Sequence, residues 1–261
     1  MELETSRRPF EGHPAWQELA GRRPAERFAQ LQQDATLRAR LVDGTPSAAM
    51  LAMLSRTFPI GAMLDYEPDP STSITSQATA RGGNPLQLAL ELMLAEDGKG
   101  LLLNTFENYN AGNLDVVREM LLDDATVMGV ADGGAHVGVI CDASAPTFLL
   151  SHWARDRKRG PGLPLEFLVK KHTADTAAAY GLGDRGVLAP GMRADIAVID
   201  FDRLALTRPE VIYDLPAGGR RLMQRARGYR HVFVSGVETL QGDAHAGNLP
   251  GRLVRGARPR P

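Results

Sequence analysis

The sequence is poor in three features that define whole classes of proteins: cysteine, net charge and long apolar runs. Its 261 residues include 1 cysteine, Cys141, which excludes an intrachain disulfide framework and a cysteine-rich zinc site. The 30 Lys and Arg residues nearly balance the 31 Asp and Glu residues, so the net charge is -1 and argues against a dedicated nucleic-acid or polybasic membrane binder. No apolar run approaches the ~20 residues that span a bilayer, and residues 1–14 lack the apolar centre of a signal peptide. We therefore expect a soluble, cytoplasmic protein with no nucleic-acid or membrane partner.

Helical and extended segments alternate through residues 1–183 and predict one domain of α/β class. Apolar residues at helical spacing predict helices over the following ranges: 25–41, 47–56, 86–95, 114–122, 146–157 and 164–180. Short apolar runs predict strands over Ile60–Tyr66, Leu101–Asn104 and Thr126–Val130. The order strand, loop, helix is typical of βα units, which build a parallel sheet.

The sequence pattern changes near residue 184 from alternating helices and strands to short apolar runs separated by turns. Residues 184–261 therefore predict a second, β-rich segment. A short apolar strand is expected over Ala194–Asp200. Two more strands, His231–Ser235 and Val237–Leu240, are predicted to pair as a tight hairpin that turns at Ser235-Gly236. The domain boundaries predicted from the sequence are therefore 1–183 and 184–261.

The sharpest motif follows the predicted strand 126–130, where Asp132 is succeeded by two glycines and then by His136. Ligands and catalytic groups of parallel βα folds lie at the carboxyl ends of strands, and glycine lets a substrate approach the backbone. Asp132 could act there as a general acid and base or as a metal ligand, or it could simply cap a turn. His136 could ligate a metal, assist a proton transfer or serve the loop structurally.

Two other polar segments are weaker candidates. Asn108 lies in the run Phe106–Asn110 after the predicted strand 101–104, where it could contact substrate or cap a turn. The acidic run Asp65–Asp69 has no histidine nearby to complete a metal site, so a solvated loop is expected. No Gly-x-Gly-x-x-Gly, Gly-Lys-Ser/Thr or Gly-x-Ser-x-Gly motif occurs, so nucleotide chemistry and serine hydrolysis have little support.

Several ordered segments together resemble one known family. The run Gly129–Gly138, continued by Ile140–Ser144 and Leu149–Trp153, is similar to the catalytic-aspartate segment of the N-acyl-D-amino-acid deacylases, or D-aminoacylases. These enzymes belong to the metal-dependent amidohydrolase superfamily. Further matching segments are spread along nearly the whole chain: Asp65–Pro68, Asn108-Tyr109, Leu114-Asp115, Gly186–Ile196, Leu215–Arg220 and Pro250–Arg252.

The resemblance implies the C-terminal part of a (β/α)₈ barrel followed by part of a small β-sandwich. It also implies a zinc-dependent hydrolase that cleaves the amide bond of a small N-acylated D-amino acid. Asp132 would then be the catalytic aspartate, with His136 as an orienting neighbour and Asn108 near the substrate. Ala131 departs from the family, where a serine often precedes the aspartate.

The family's zinc ligands are the feature that this sequence lacks. The resemblance implies that a complete enzyme binds one or two zinc ions through a His-x-His pair, a bridging cysteine or acid and two later histidines, but no His-x-His occurs here. A barrel also needs about 250 residues. We therefore expect a C-terminal portion that binds zinc weakly by itself and has no complete metal site within the chain. Two alternatives remain open: a non-catalytic fragment or subunit that needs an N-terminal half, and a cyclic amide hydrolase of the same superfamily.

Overall fold

The structure is a computed structural model and describes residues 10–61, 63–105, 107–129, 137–139 and 142–259. It mixes helices and short strands, as the sequence predicts. The helices are α1 (Pro24–Gln33), α2 (Ala35–Val42), α3 (Ala48–Leu54), α4 (Ile74–Ala80), α5 (Pro85–Gly98), α6 (Asp115–Leu122), α7 (Ala145–Ser151), α8 (Leu165–Lys170) and α9 (Thr176–Ala179). The strands are β1 (Thr57–Pro59), β2 (Leu102–Asn104), β3 (Ile196–Ile199), β4 (Ala205–Leu206), β5 (Glu210–Leu215), β6 (Gly219–Met223), β7 (Ala226–Arg227), β8 (Tyr229–Val234), β9 (Val237–Gln241) and β10 (Ala244–His245).

The chain divides into two compact units, and each unit is built from more than one stretch of sequence. The first unit comprises residues 1–116, 136–140 and 210–223, and the second comprises 117–135, 141–209 and 224–261. The predicted boundary near residue 184 stays a prediction. Within the described part of the chain, no helix combines the length and the apolar character that crossing a membrane requires.

The first unit has a helical core centred on α5. This helix is apolar around most of its circumference, and Leu88, Ala89 and Met93 are buried. Such a helix is stable only when neighbours cover it on several sides, and α1, α2 and α4 all contact it. Backbone angles leave the helical region at Ala95, where ψ is 160°, so the regular part of α5 confirms the helix predicted over 86–95.

The single helix predicted over 25–41 is wrong, because the chain forms α1 and α2 with a break at Asp34. Asp34 has extended backbone angles of φ -97° and ψ 90°. Its carboxylate accepts a hydrogen bond from the backbone N–H of Leu37 over 2.8 Å, which caps the new helix. An aspartate that competes for backbone donors favours a helix start over a helix interior, and here it interrupts the apolar periodicity.

The parallel pairing predicted for the first strands is also wrong. The strand lies at Thr57–Pro59 rather than at 60–66, and β1 pairs with β2 in antiparallel register, with Phe58 opposite Leu103. A βαβ unit keeps its strands parallel because one helix returns the chain to its starting edge. The connection between β1 and β2 contains two helices, α4 and α5, and is therefore not the single-helix crossover of a βαβ unit.

The strand predicted over Thr126–Val130 does not form at residues 126–129, and Val130 lies outside the described residues. The hydroxyl of Thr126 donates a hydrogen bond to the carbonyl of Asp123 over 3.0 Å, which closes a turn after α6. Val127 remains 39% exposed. An apolar run needs a neighbouring strand to satisfy its backbone groups, and periodicity alone cannot supply that neighbour.

Helices in the second unit pack around Trp153, which is 2% exposed. The helix α7 continues into a π-helical turn at His152–Asp156, and α8 continues through a second such turn at Lys171–Asp175 into α9. The helices α7 and α8 contact each other, and the backbone N–H of Leu163 donates to the carbonyl of Trp153 over 2.8 Å. The predicted helices over 146–157 and 164–180 are thus confirmed.

A four-stranded sheet in the order β10-β9-β8-β3 completes the second unit. The predicted hairpin is confirmed, since β8 and β9 pair antiparallel with Val234 opposite Val237. Its turn places Ser235 and Gly236 at φ 54° and 78°, the left-handed angles that a two-residue hairpin turn requires. None of the residues in these four strands is buried. The barrel portion and the sandwich expected from the resemblance stay predictions.

Candidate active site

The two residues of the sharpest motif, Asp132 and His136, lie outside the described residues. Their predicted roles stay predictions. In the first unit, the carbonyl of Val137 accepts a hydrogen bond from the backbone N–H of Leu222, a residue of β6, over 2.6 Å. The chain that follows His136 is therefore held by a strand more than eighty residues away in sequence.

Hydrogen bonds in the second unit also fix Ser144, which lies just before α7. The Ser144 hydroxyl donates a hydrogen bond to the side-chain oxygen of Gln224 over 2.6 Å. The amide nitrogen of Gln224 donates in turn to the carbonyl of Thr207 over 2.9 Å. A side-chain amide that both accepts and donates in this way defines the orientation of Ser144, which lies twelve residues after Asp132 in the sequence.

Asn108, the third predicted site residue, lies in a short 3₁₀ turn at Glu107–Tyr109 directly after β2. Its side chain is exposed, whereas Tyr109 beside it is buried. The ring of Tyr109 packs edge-on against Phe58 with centroids 6.1 Å apart, and its hydroxyl donates to the carbonyl of Pro68. Asn108 is therefore an exposed amide on an anchored turn, a placement that suits a contact with a ligand.

The acidic run 65–69 is not the fully solvated loop that the sequence predicts. Glu67 is only 2% exposed, and its carboxylate accepts a hydrogen bond from the backbone N–H of Leu114 over 2.8 Å. Asp65 and Asp69 are exposed, and each accepts a bond from a backbone N–H two residues ahead. Sequence reasoning missed Glu67 because burial depends on a partner 47 residues away, and three acids in five residues gave no signal that one of them is buried.

Five histidines lie within the part of the chain that the structure describes. They are His13, His152, His172, His231 and His245. The Nδ1 atom of His231 lies 2.6 Å from the carboxylate of Glu238, and burial lowers the pKa of His172. Among the residues that the structure describes, no group of three His, Cys, Asp or Glu side chains is placed to hold a metal ion.

Comparison with known proteins identifies the family of this chain. The model of the amidohydrolase family matches residues 3–239 of the chain. The chain belongs to the amidohydrolase family. It is 37% identical over 107 residues to D-aminoacylase of Alcaligenes xylosoxydans xylosoxydans, and 36% identical over 93 residues to N-acyl-D-glutamate deacylase of the same organism.

These matches cover only part of each protein. They span 41% and 36% of this chain, but only 19% and 17% of the two curated relatives. A solved structure from a study of the functional role of the binuclear metal center in D-aminoacylase aligns with 75% of this chain and 37% of its own, at 24% identity and a TM-score of 0.39. The chain thus spans well under half the length of the relatives that it matches.

Proposed function

We propose that this chain carries part of the active site of a hydrolase that cleaves the amide bond of N-acyl-D-amino acids. The observation that carries the proposal is the segment 129–138, which resembles the catalytic-aspartate segment of D-aminoacylases, within a chain of the amidohydrolase family. The two curated relatives support it, since one is a D-aminoacylase and the other an N-acyl-D-glutamate deacylase. Water is consumed, and a free amino acid and a carboxylic acid are released.

Each site residue has a proposed role in that reaction. The carboxylate of Asp132 accepts a proton from the attacking water and then returns it to the leaving nitrogen, which is a poor leaving group unless it is protonated. His136 orients groups in the same segment. Asn108, exposed on its anchored turn, donates an amide N–H to an oxygen of the substrate.

The described residues do not by themselves fit a catalytic zinc. Such a centre needs about three protein ligands and an open position for water. Within the described ranges no group of three suitable side chains comes together, and the sequence contains no His-x-His pair. We propose instead that an N-terminal half, on the same or another polypeptide, supplies the missing ligands. Metal analysis after dialysis tests this, because stoichiometric zinc retained by the chain alone would contradict it.

A substitution at Asp132 tests the catalytic assignment. The assay combines this chain with the proposed N-terminal half and with added zinc. The N-terminal half is the product of any in-frame upstream coding sequence that contains a His-x-His motif. We expect N-acetyl-D-glutamate or N-acetyl-D-leucine to be hydrolysed, and their L enantiomers to be hydrolysed far more slowly. Asp132→Asn keeps the size of the side chain but removes the base, so kcat should fall by about 10³-fold with little change in KM.

The matched control is Asp124→Asn, which removes an exposed carboxylate from the same stretch of chain and should leave kcat unchanged. An Asp132→Asn variant that keeps more than about a tenth of the activity would refute the role of Asp132, since Asn replaces a capping Asp at little cost. If the enzyme cleaved a cyclic amide and not the acylated amino acids, the proposed substrate class would be wrong and a cyclic amide would take its place. Inactivity of every combination would favour a non-catalytic subunit.

A further inference from the structure

Glu67 is a buried carboxylate to which the proposed reaction gives no role. A buried carboxylate is costly unless hydrogen bonds satisfy it. Its Oε1 atom accepts a hydrogen bond of 2.8 Å from the backbone N–H of Leu114, and only 2% of the residue is exposed. A carboxylate held in this way is expected to serve a structural or functional purpose, because an apolar residue would fill the same space at lower cost.

The partner of Glu67 lies at the start of a helix. Leu114 directly precedes α6, which begins at Asp115. The first N–H groups of a helix have no partners within the helix and carry a partial positive charge, so an anion at this end is stabilising. Glu67 therefore caps α6 from a distant part of the sequence and joins the acidic loop (residues 65–70) to the Asn108 turn (residues 107–114).

Two further contacts join the acidic loop to the Asn108 turn. The hydroxyl of Tyr109 donates to the carbonyl of Pro68. Gly112 has a φ of +71° and packs against Pro70 so closely that a Cβ atom at this glycine would lie 2.6 Å from Pro70 Cγ. With the bond from Leu114 to Glu67, the acidic loop holds the Asn108 turn at its beginning, middle and end.

We propose that Glu67 is a positioning residue that sets substrate affinity through the Asn108 turn. This inference rests on the proposed function, in which Asn108 binds an oxygen of an N-acyl amino acid. Only 2% of Glu67 is exposed, so its proposed effect on the substrate passes through the turn that it holds. Loss of its carboxylate releases Leu114 and the helix end, and Asn108 then samples orientations that do not bind. Binding weakens as a result, while the proton transfers at Asp132 proceed as before.

Amide hydrogen exchange on the full chain tests the structural part of the inference without any need for activity. In Glu67→Ala, exchange at Leu114 and within residues 107–114 should accelerate by about 10-fold or more, because a hydrogen bond to a charged acceptor is lost. Glu67→Gln keeps an acceptor oxygen in the same place and should stay within about 3-fold of the parent protein. The matched control is Glu91→Ala, which removes an exposed carboxylate from α5 in the same unit and should leave this exchange unchanged.

Kinetics on the active assembly test the functional part. Glu67→Ala should raise KM about 10-fold and change kcat by less than about 3-fold, and Glu67→Gln should restore most of the affinity. Tyr109→Phe, which removes only the hydroxyl that donates to Pro68, gives a second and milder variant if Glu67→Ala does not fold.

Unchanged exchange in both Glu67→Ala and Tyr109→Phe would overturn the inference, and so would a fall in kcat with KM unchanged. Faster exchange in a protein that hydrolyses no acylated D-amino acid would instead support the anchoring role of Glu67 and refute the proposed function. The two proposals therefore fail by different measurements.

Discussion

The helical core of the first unit and the four-stranded sheet of the second unit are stabilised in different ways. The core contains fully buried side chains, among them Leu41, Leu54 and Met93, which are 0% exposed. The strands β3, β8, β9 and β10 contain no buried residue, and ion pairs such as Arg230–Asp200 lie beside them. Burial therefore stabilises the first region, whereas backbone pairing and turn geometry stabilise the second.

The largest expected effect separates these two kinds of stabilisation. Met93→Ala should lower the free energy of unfolding by about 2–5 kcal/mol, because it leaves a cavity in a closed core. Val232→Ala, at a half-buried position of β8, should cost below about 1 kcal/mol, because no closed cavity forms. Urea denaturation measures both values.

The 2 tryptophans allow each unit to be followed separately, because Trp16 lies in the first unit and Trp153 in the second. Both are buried, so unfolding should change their fluorescence. Met93→Ala is studied in a Trp153→Phe background and Val232→Ala in a Trp16→Phe background. Equal losses of stability in the two variants would contradict this difference between the two regions and would indicate that another surface covers the sheet in solution.

A substitution that strains the backbone beside the sheet should have an intermediate effect on the free energy of unfolding. Gly228 precedes β8 with a φ of +103°, and an added Cβ atom would lie 2.7 Å from the Cα of Leu204. Gly228→Ala should therefore cost about 1–3 kcal/mol, more than the loss of a side chain from the same sheet. The control is Gly251→Ala, where nothing lies within 4 Å of the added atom and φ is not in the left-handed region. A Gly228→Ala protein as stable as its control would show that turn geometry contributes little to the sheet.

The smallest expected effect concerns pH and the helices of the second unit. Burial lowers the pKa of His172 from its ordinary value of 6.5, and its Nδ1 atom is buried with no hydrogen-bond partner among the described residues. The folded state therefore favours the neutral ring, and the unfolded chain takes up a proton first. Stability that is present above pH 6.5 should be lost as the pH falls through that value towards the lower folded pKa.

Thermal unfolding between about pH 5 and pH 8 checks this sign. Below the ordinary pKa of histidine, the thermal midpoint of His172→Gln should depend less on pH than that of the parent protein. The substitution should also shift the thermal midpoint by less than Gly228→Ala does. His245→Gln, at an exposed histidine, should leave the profile unchanged. A parent protein that becomes more stable as the pH falls through this range would contradict the lowered pKa.

Local sequence signals predicted elements whose determinants are local. The apolar residues of α5 and the Ser235-Gly236 turn were correctly assigned, because helix periodicity and left-handed turn angles depend on residues close together in the chain. The break at Asp34 was missed although its signal, a capping aspartate, is also local. In the folded chain, the preference of Asp34 for a helix start outweighs the apolar periodicity of residues 25–41.

Long-range contacts decided what sequence reasoning missed. The antiparallel pairing of β1 with β2 joins residues about 45 positions apart, and no pattern within either strand encodes a direction. A strand over 126–129 would need a partner from elsewhere in the chain, which no pattern within these residues specifies. The motif at Asp132 was found from sequence alone, but its geometry lies outside the described residues.

The amino-acid sequence alone predicts the family, the positions of most helices, the hairpin and the residues expected to carry the chemistry. The helices and the hairpin follow from residue types and short spacings, which are present before the chain folds, whereas the family and the site residues follow from the resemblance to known sequences. Only the tertiary structure decided that Glu67 is buried against the start of α6 and that Asn108 stands exposed on an anchored turn. Burial and hydrogen bonding join residues that are far apart in the chain. An acidic residue is the same letter in the sequence whether its carboxylate is hydrated by water or accepts a hydrogen bond from the start of a helix.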